Sequence, residues 1–278
     1  MVESSPDRDS EFLPDRTAQV TMPTKPRTNW LAHAGIVGLL IVITIWSAYG
    51  IGFSLNEILC NIAGGTRLIE ESWPPDFSFL PRLAAPMLET VFIAIIGTVV
   101  GGILAIPVAV LAARNLTPNM PTWLVDRNFM NTLRTLPDLF WAMLFATAVG
   151  FGPVAGALAL TVFTVAVISK LWSESLESID MGLPETIRAA GGNWLQMIQF
   201  GAVPQALQHY VSYALYAFEL NIRASVVLGL VGAGGIGMIL ETQRANFEYE
   251  RVTMIILAVL VAVLIIEQIS ESIRERLD

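Results

Sequence analysis

Six stretches of this chain are apolar for about the length that crosses a bilayer, and they constrain the fold more than any other feature. They run Ala32–Phe53, Pro86–Ala113, Met130–Phe151, Val154–Trp172, Ala206–Val231 and Val252–Ile269. A helix crosses the hydrocarbon core with about 20 apolar residues and satisfies its backbone hydrogen bonds internally. The expected class is an all-α membrane protein with about six transmembrane helices. By length alone, 278 residues would suit one or two soluble domains, but composition excludes that. Charged residues make up 14% of the chain, against about 25% in soluble domains. Mean hydropathy is +0.61.

Little else in the composition narrows the function. The net charge of −8 sits largely in terminal segments and connecting loops, so it says little about a ligand. A single cysteine, Cys60, rules out an intrachain disulfide. Two histidines and that cysteine, widely separated, have no metal-site spacing, and no metal is expected.

Residues 1–29 are polar, proline-bearing and without periodicity, which predicts a disordered tail. No cleavage-site pattern follows the first apolar run, so a signal peptide is not expected. Residues 30–85 then read as the first span and an outer loop, with a short interfacial helix at Leu55–Ala63. Residues 86–278 read as the main body, containing an inner loop at 173–204. Lys and Arg beside the spans orient the chain. With the N-terminus inside, Arg8, Arg16, Lys25, Arg27, Arg114, Arg127, Arg134, Lys170, Arg188, Arg274 and Arg276 lie inside. Only Arg67, Arg82, Arg244 and Arg251 lie outside. Both termini are therefore expected in the cytoplasm of a multi-pass protein.

That orientation makes Glu185–Pro204, ETIRAAGGNWLQMIQFGAVP, a cytoplasmic stretch. Read as one helix, Ile187, Ala190, Gly191, Trp194, Leu195 and Ile198 form an apolar or small face. Arg188, Gly192, Gln196 and Gln199 lie opposite. Pro184 sits where a first turn accepts it, and Pro204 where a new segment is expected to begin.

The spacing of Glu185, Gly191 six residues on, and Val203-Pro204 at the end resembles the EAA loop of binding-protein-dependent ABC importer permeases. Thr186-Ile187 stands where that family favours two alanines, and Ala189-Ala190 restores small residues one turn later. Arg134–Phe145, Gly152–Leu160 and Glu219–Gly237 look like phosphonate transporter permeases. The resemblance covers about residues 86–269.

It implies the type I ABC importer permease fold in a prokaryotic plasma (inner) membrane. Glu185, Ala189, Ala190, Gly191, Trp194 and Pro204 would form a coupling helix docked on a separate ATPase. It also implies a homodimer, two cytoplasmic ATPases and an extracytoplasmic phosphonate-binding protein. The cargo would be phosphonates or related phosphorus oxyanions such as phosphate and phosphite.

Nothing in the chain matches the phosphate-binding loop G-x-x-x-x-G-K-[ST], and its lysines are Lys25 and Lys170. ATP and Mg are accordingly expected on the partner, with no cofactor in this chain, no enzymatic activity of its own and no nucleic-acid partner. The competing reading of Glu185–Pro204 is a helix lying on lipid. Its polar face carries Arg188 as its one base, a weak attraction for anionic headgroups.

Glu219, Asn221, Arg223 and Ser225 stand inside the fifth span, where ionisable groups are costly and usually functional. Two readings remain open. Glu219 and Arg223, four apart, neutralise each other; or Arg223, with Asn221 and Ser225, touches an anionic cargo in transit. Arg134 and Asp138 share the same four-residue spacing near the expected cytoplasmic end of the third span, and structural pairing is the expectation there.

Gly232–Gly237 matches G-x-G-x-x-G, but it follows a span-length run rather than a short strand. It is expected to be a closely packed turn. Two other functions remain: an ABC permease for another solute, such as an amino acid, and a membrane-embedded lipid enzyme. The second would want clustered nucleophile and base groups, and His33 and His209 lie far apart.

Overall fold

The computed structural model describes residues 30–276. The predicted tail, 1–29, lies outside the described residues. The chain divides into two compact units, Met1–Ile62 and Ala63–Asp278. In the first, α1 spans Trp30–Gly50 and α2 spans Leu55–Cys60, where Ser54 caps the first turn by accepting the Glu57 amide.

Every regular element among the described residues of the second unit is helical. α3 (Ile62–Glu71) and a 3-10 turn (Phe77–Phe79) lead into α4 (Leu80–Ala112), then α5 (Met120–Thr135), α6 (Asp138–Val149) and α7 (Pro153–Glu177). α8 (Gly182–Ala189), α9 (Trp194–Gln196), a π-helical turn (Met197–Ala202) and α10 (Val203–Gly229) follow. α11 (Gly235–Ala245) and α12 (Tyr249–Arg274) complete it. The short helix expected at Leu55–Ala63 is thus the two helices α2 and α3.

α4 and α7 form the centre. Along α4, Ala94, Gly97, Gly101, Ala105 and Ala109 recur at helical spacing and are buried. A methyl added to Gly97 would come within 2.6 Å of Leu160 Cβ, and one added to Gly101 within 2.6 Å of Thr164 Cβ. Burying apolar area drives little association within lipid, so backbones in close van der Waals contact supply the packing energy. At the other end of α4, Arg251 on α12 lies 3.3 Å from Asp76, and its guanidinium stacks 5.3 Å over the Phe79 ring.

Among the described residues, four helices are long and apolar enough to cross a membrane: α1, α4 with its preceding turn, α7 and α12. The other two expected spans differ from their sequence reading. The third is broken: Leu136 and Pro137 are both extended (ψ 133 and 147), separating α5 from α6. Proline removes an amide and forces its predecessor out of helical geometry. The fifth, α10, is 27 residues long, about 40 Å at 1.5 Å per residue, but it carries Glu219 and Arg223. The charged residues 241–251 form the end of α11, a turn and the start of α12.

Candidate functional site

Glu185–Pro204 is a helix, a turn and a second helix rather than one helix. Asp180 opens the element by accepting the Gly182 amide at 2.9 Å. α8 ends at Ala189, with Ala190 as its C-cap, and the Gly191 and Gly192 amides fold back onto the Arg188 and Ile187 carbonyls. Gly191 has φ +92, a left-handed value that costs a Cβ-bearing residue energy. Asn193 and Gln196 form a reciprocal capping box, both bonds at 2.8 Å, which restarts the helix.

From there the helix runs uninterrupted into α10, although Pro204 is where a new segment is expected to begin. The Val203 amide reaches the Ile198 carbonyl, five residues back. This wider register, one residue ahead of Pro204, accommodates a proline that a tight α-turn would reject. Gln205 then stitches the two halves together. Its amide donates to the Gly201 carbonyl at 2.7 Å and the Asp180 carbonyl at 3.0 Å, and its oxygen accepts the Asp180 amide at 3.1 Å.

The expected apolar face is accordingly divided. Ile187, Trp194 and Ile198 turn inward onto a cluster that includes Trp172, Leu176 and Met197. Trp194 donates its indole N–H to the Leu116 carbonyl at 2.7 Å, tying this element to the α4–α5 loop. Trp172 does the same with Ala206 at 2.9 Å. Glu185, Ala189, Ala190, Gly191 and Leu195 remain exposed, and open space surrounds the missing Gly191 side chain. The exposed surface is therefore the outer side of α8 and its terminal turn, held from behind by Trp194. Sequence spacing did not reveal the Gln205 and Leu116 anchors, because the Gln205 side chain bonds backbone groups and Leu116 offers its own carbonyl.

Asp126, in the first half of α5, lies beside this end of the core. Its Oδ2 and the Trp123 indole N–H are buried without a partner among the described residues. Burial pushes the Asp126 carboxyl up to about 6. Arg127 lies 5.2 Å over the Trp123 ring and 3.5 Å from Glu177.

The four polar residues of α10 are not brought together at one surface. Asn221 is fully buried between α4 and α7, donating to Thr98 at 2.8 Å and Thr164 at 2.7 Å. Its Oδ1 has no partner among the described residues. Ser225 is buried one turn along.

Glu219 faces α12. One of its oxygens takes Arg223 and the other takes Arg274 at 3.4 Å, while Arg223 also approaches Glu267 at 3.7 Å. Glu267 and Arg274 were missed in the sequence, and the signal was the abrupt polar end of the sixth span. The expected Arg134–Asp138 pair is not formed: Arg134 has no ion pair among the described residues, although both residues line one cleft. The break at Leu136-Pro137 interrupts the helical register that would have placed them on one face.

Gly232–Gly237 is a turn from α10 into α11 with no strand beside it. The Ile236 amide donates to Thr90 at 2.8 Å, and Gly229 and Gly237 pack backbone to backbone.

Comparison with known proteins agrees with this architecture. The family described as "Binding-protein-dependent transport system inner membrane component" matches residues 105–278. A phosphite transport system permease protein of Stutzerimonas stutzeri is 32% identical over 248 residues, covering 89% of this chain and 90% of that protein. A phosphate-import permease protein of Mycolicibacterium smegmatis is 31% identical over 255 residues, covering 91% of this chain and 48% of that protein. A methionine ABC transporter solved in inward-facing conformations superimposes with a TM-score of 0.64 at 21% identity. That match covers 73% of this chain and 99% of the other, and it is a likeness of fold.

Proposed function

The chain belongs to the family of binding-protein-dependent transport system inner membrane components, and from that premise we propose that it carries phosphorus oxyanions inward as the permease subunit of an ATP-driven importer. Phosphite, phosphate and phosphonates are the candidate cargoes. The two relatives named for phosphite and phosphate each align over about nine-tenths of this chain, which supports that class over an amino acid. The likeness to the methionine transporter extends to fold alone.

In this reading both termini and α8 face the cytoplasm, two copies of the chain enclose the path, and two ATPase subunits bind ATP and Mg. A binding protein delivers cargo to the outer mouth. α8 with its Ala189–Gly191 turn is the surface that the ATPase moves. The observation that carries this assignment is the rigid mounting of α8. Gln205 bridges Asp180 to Gly201 on the opposite side of the turn, and the same helix continues without a joint through α10. A push on α8 therefore tilts α10 as a lever rather than being absorbed in a loop.

Glu219 and Arg223 act here as the tie between α10 and α12, and Asn221 as the clasp among α4, α7 and α10. Their part in transport is to make these helices move as one body. Full burial of Asn221 and the double pairing of Arg223 support pairing over direct contact with cargo.

Reconstitution tests the reading. The chain, its ATPase and its binding protein in proteoliposomes should accumulate labelled phosphite, phosphate or methylphosphonate and hydrolyse ATP faster when the binding protein is loaded. Uptake of methionine in place of every oxyanion would overturn the cargo assignment. Retained ATPase association after Ala190→Trp on the exposed turn would overturn the docking surface.

A further inference from the structure

Three cations fall inside the expected spans, and the structure treats them differently. Lys170 is held by Glu174 at 2.5 Å, and Arg223 by Glu219 and Glu267. Arg134 is exposed, and among the described residues it has no carboxylate partner and stacks on no ring. It stands at the break between α5 and α6, in a cleft of about 450 Å³ lined by Arg134, Thr135, Pro137, Asp138, Ala224 and Val227, among others. That volume admits a phosphate-sized anion with several waters, each occupying about 30 Å³ in the liquid.

Depth argues against a merely solvated side chain. α6 has 12 residues and ends at the Gly150–Gly152 turn, so it is about 18 Å long at 1.5 Å per residue. The hydrocarbon core is about 30 Å thick. With the Gly150–Gly152 turn at the outer face, as the permease reading orients the chain, the break lies well inside the membrane rather than at its cytoplasmic edge. An unpaired guanidinium at that depth is costly unless it faces a water-filled path. Broken helices at the midplane are also where transporters commonly place their cargo.

On this basis, and resting on the permease reading above, we infer that Arg134, in the cleft between the α5–α6 break and α10, is the cation that meets the phosphorus oxyanion in transit. Its planar fork matches a pair of oxygens on a tetrahedral anion. The Trp141 indole N–H, one turn into α6 and in the same apolar cluster as Ala224 and Leu228, is buried without an acceptor among the described residues. Asp138 in the same cleft keeps the site weak. A transit site needs that property, because cargo held tightly would not leave. Arg223 cannot serve equally well, since two carboxylates already share it.

The test uses the complete complex in proteoliposomes, with radiolabelled inorganic phosphate and phosphite as probes. Arg134→Gln should leave assembly and ATP hydrolysis stimulated by the loaded binding protein intact. Uptake per ATP should fall roughly ten- to hundredfold, the worth of one lost charge-assisted contact. Half-saturation should not move, because the binding protein captures the cargo. Arg134→Lys should recover part of the rate by returning the charge without the fork.

Undiminished uptake by Arg134→Gln would overturn the assignment. So would loss of assembly or stimulation in both variants, which would mean that Arg134 pairs with another subunit. Wild-type complex that accumulates no oxyanion would instead overturn the cargo reading, an outcome visible before any variant is made.

Discussion

Gly201→Ala probes how α8 is mounted. A methyl on Gly201 would sit 2.9 Å from Pro184 Cα, 3.1 Å from Pro184 N and 3.2 Å from Ile187 Cδ1. Two of these atoms are backbone of α8 and cannot rotate away, so α8 must shift outward or the π-helical turn must distort. Overpacking of this kind costs about 1–3 kcal/mol. Replacing glycine in a helix returns about 0.4–1 kcal/mol through the unfolded chain, which leaves a net loss of about 1–2 kcal/mol. For a body the size of Ala63–Asp278 that amounts to roughly 2–8 °C in Tm, at about 2–4 °C per kcal/mol.

The larger effect should be on coupling. An outward shift breaks the Gln205 bridge, so ATP hydrolysis by the assembled complex should persist while uptake per ATP falls. Thermal unfolding of the purified chain and parallel hydrolysis and uptake assays read the two effects. Gly191→Ala is the comparison. Its methyl meets nothing within 4 Å, so the φ of +92 is the source of its cost and the Pro184 contact stays intact. Equal Tm and equal uptake per ATP for Gly201→Ala and wild type would refute the lever.

Three further outcomes follow from the buried groups. Asn221→Ala should destabilise the chain by about 1–3 kcal/mol through lost hydrogen bonds and a void. Asn221→Leu, of similar size and without the orphan Oδ1, should be closer to neutral in Tm; if Asn221→Leu kept its stability but lost transport, Asn221 would be a cargo contact after all. Glu219→Gln strands Arg274 and half of the Arg223 pairing, and should cost about 1–3 kcal/mol because the arginines remain partly solvated; adding Arg223→Gln should recover part of that in unfolding assays.

Asp126, with its carboxyl raised to about 6 by burial, binds its proton more tightly folded than unfolded. Stability should therefore fall as pH rises from about 4 to 6 and then level off. Asp126→Asn should flatten that slope and raise Tm at pH 7, both measurable by thermal scans from pH 4 to 8.

What the sequence disclosed and what it withheld separate along physical lines. Spans are legible because lipid demands long apolar runs, and the Glu185–Pro204 spacing is legible because its end residues stand at fixed intervals. Helix continuity is not. Pro204 and Pro137 look alike in sequence, each preceded by an apolar residue within a mostly helical region. The first lies in a helix that carries on, because a π-helical turn precedes it, whereas the second ends one helix and begins another.

Charge pairing is equally hidden. Glu219 with Arg223 and Arg134 with Asp138 share one spacing, so periodicity treats them as equals. The first pair lies within an unbroken helix that α12 supports with Glu267 and Arg274. The second straddles the break, so its partners no longer share a helical face. The same proline that ends α5 therefore leaves Arg134 without a carboxylate partner among the described residues. That is why the better candidate for meeting an anion is the arginine that spacing had assigned to a structural pair.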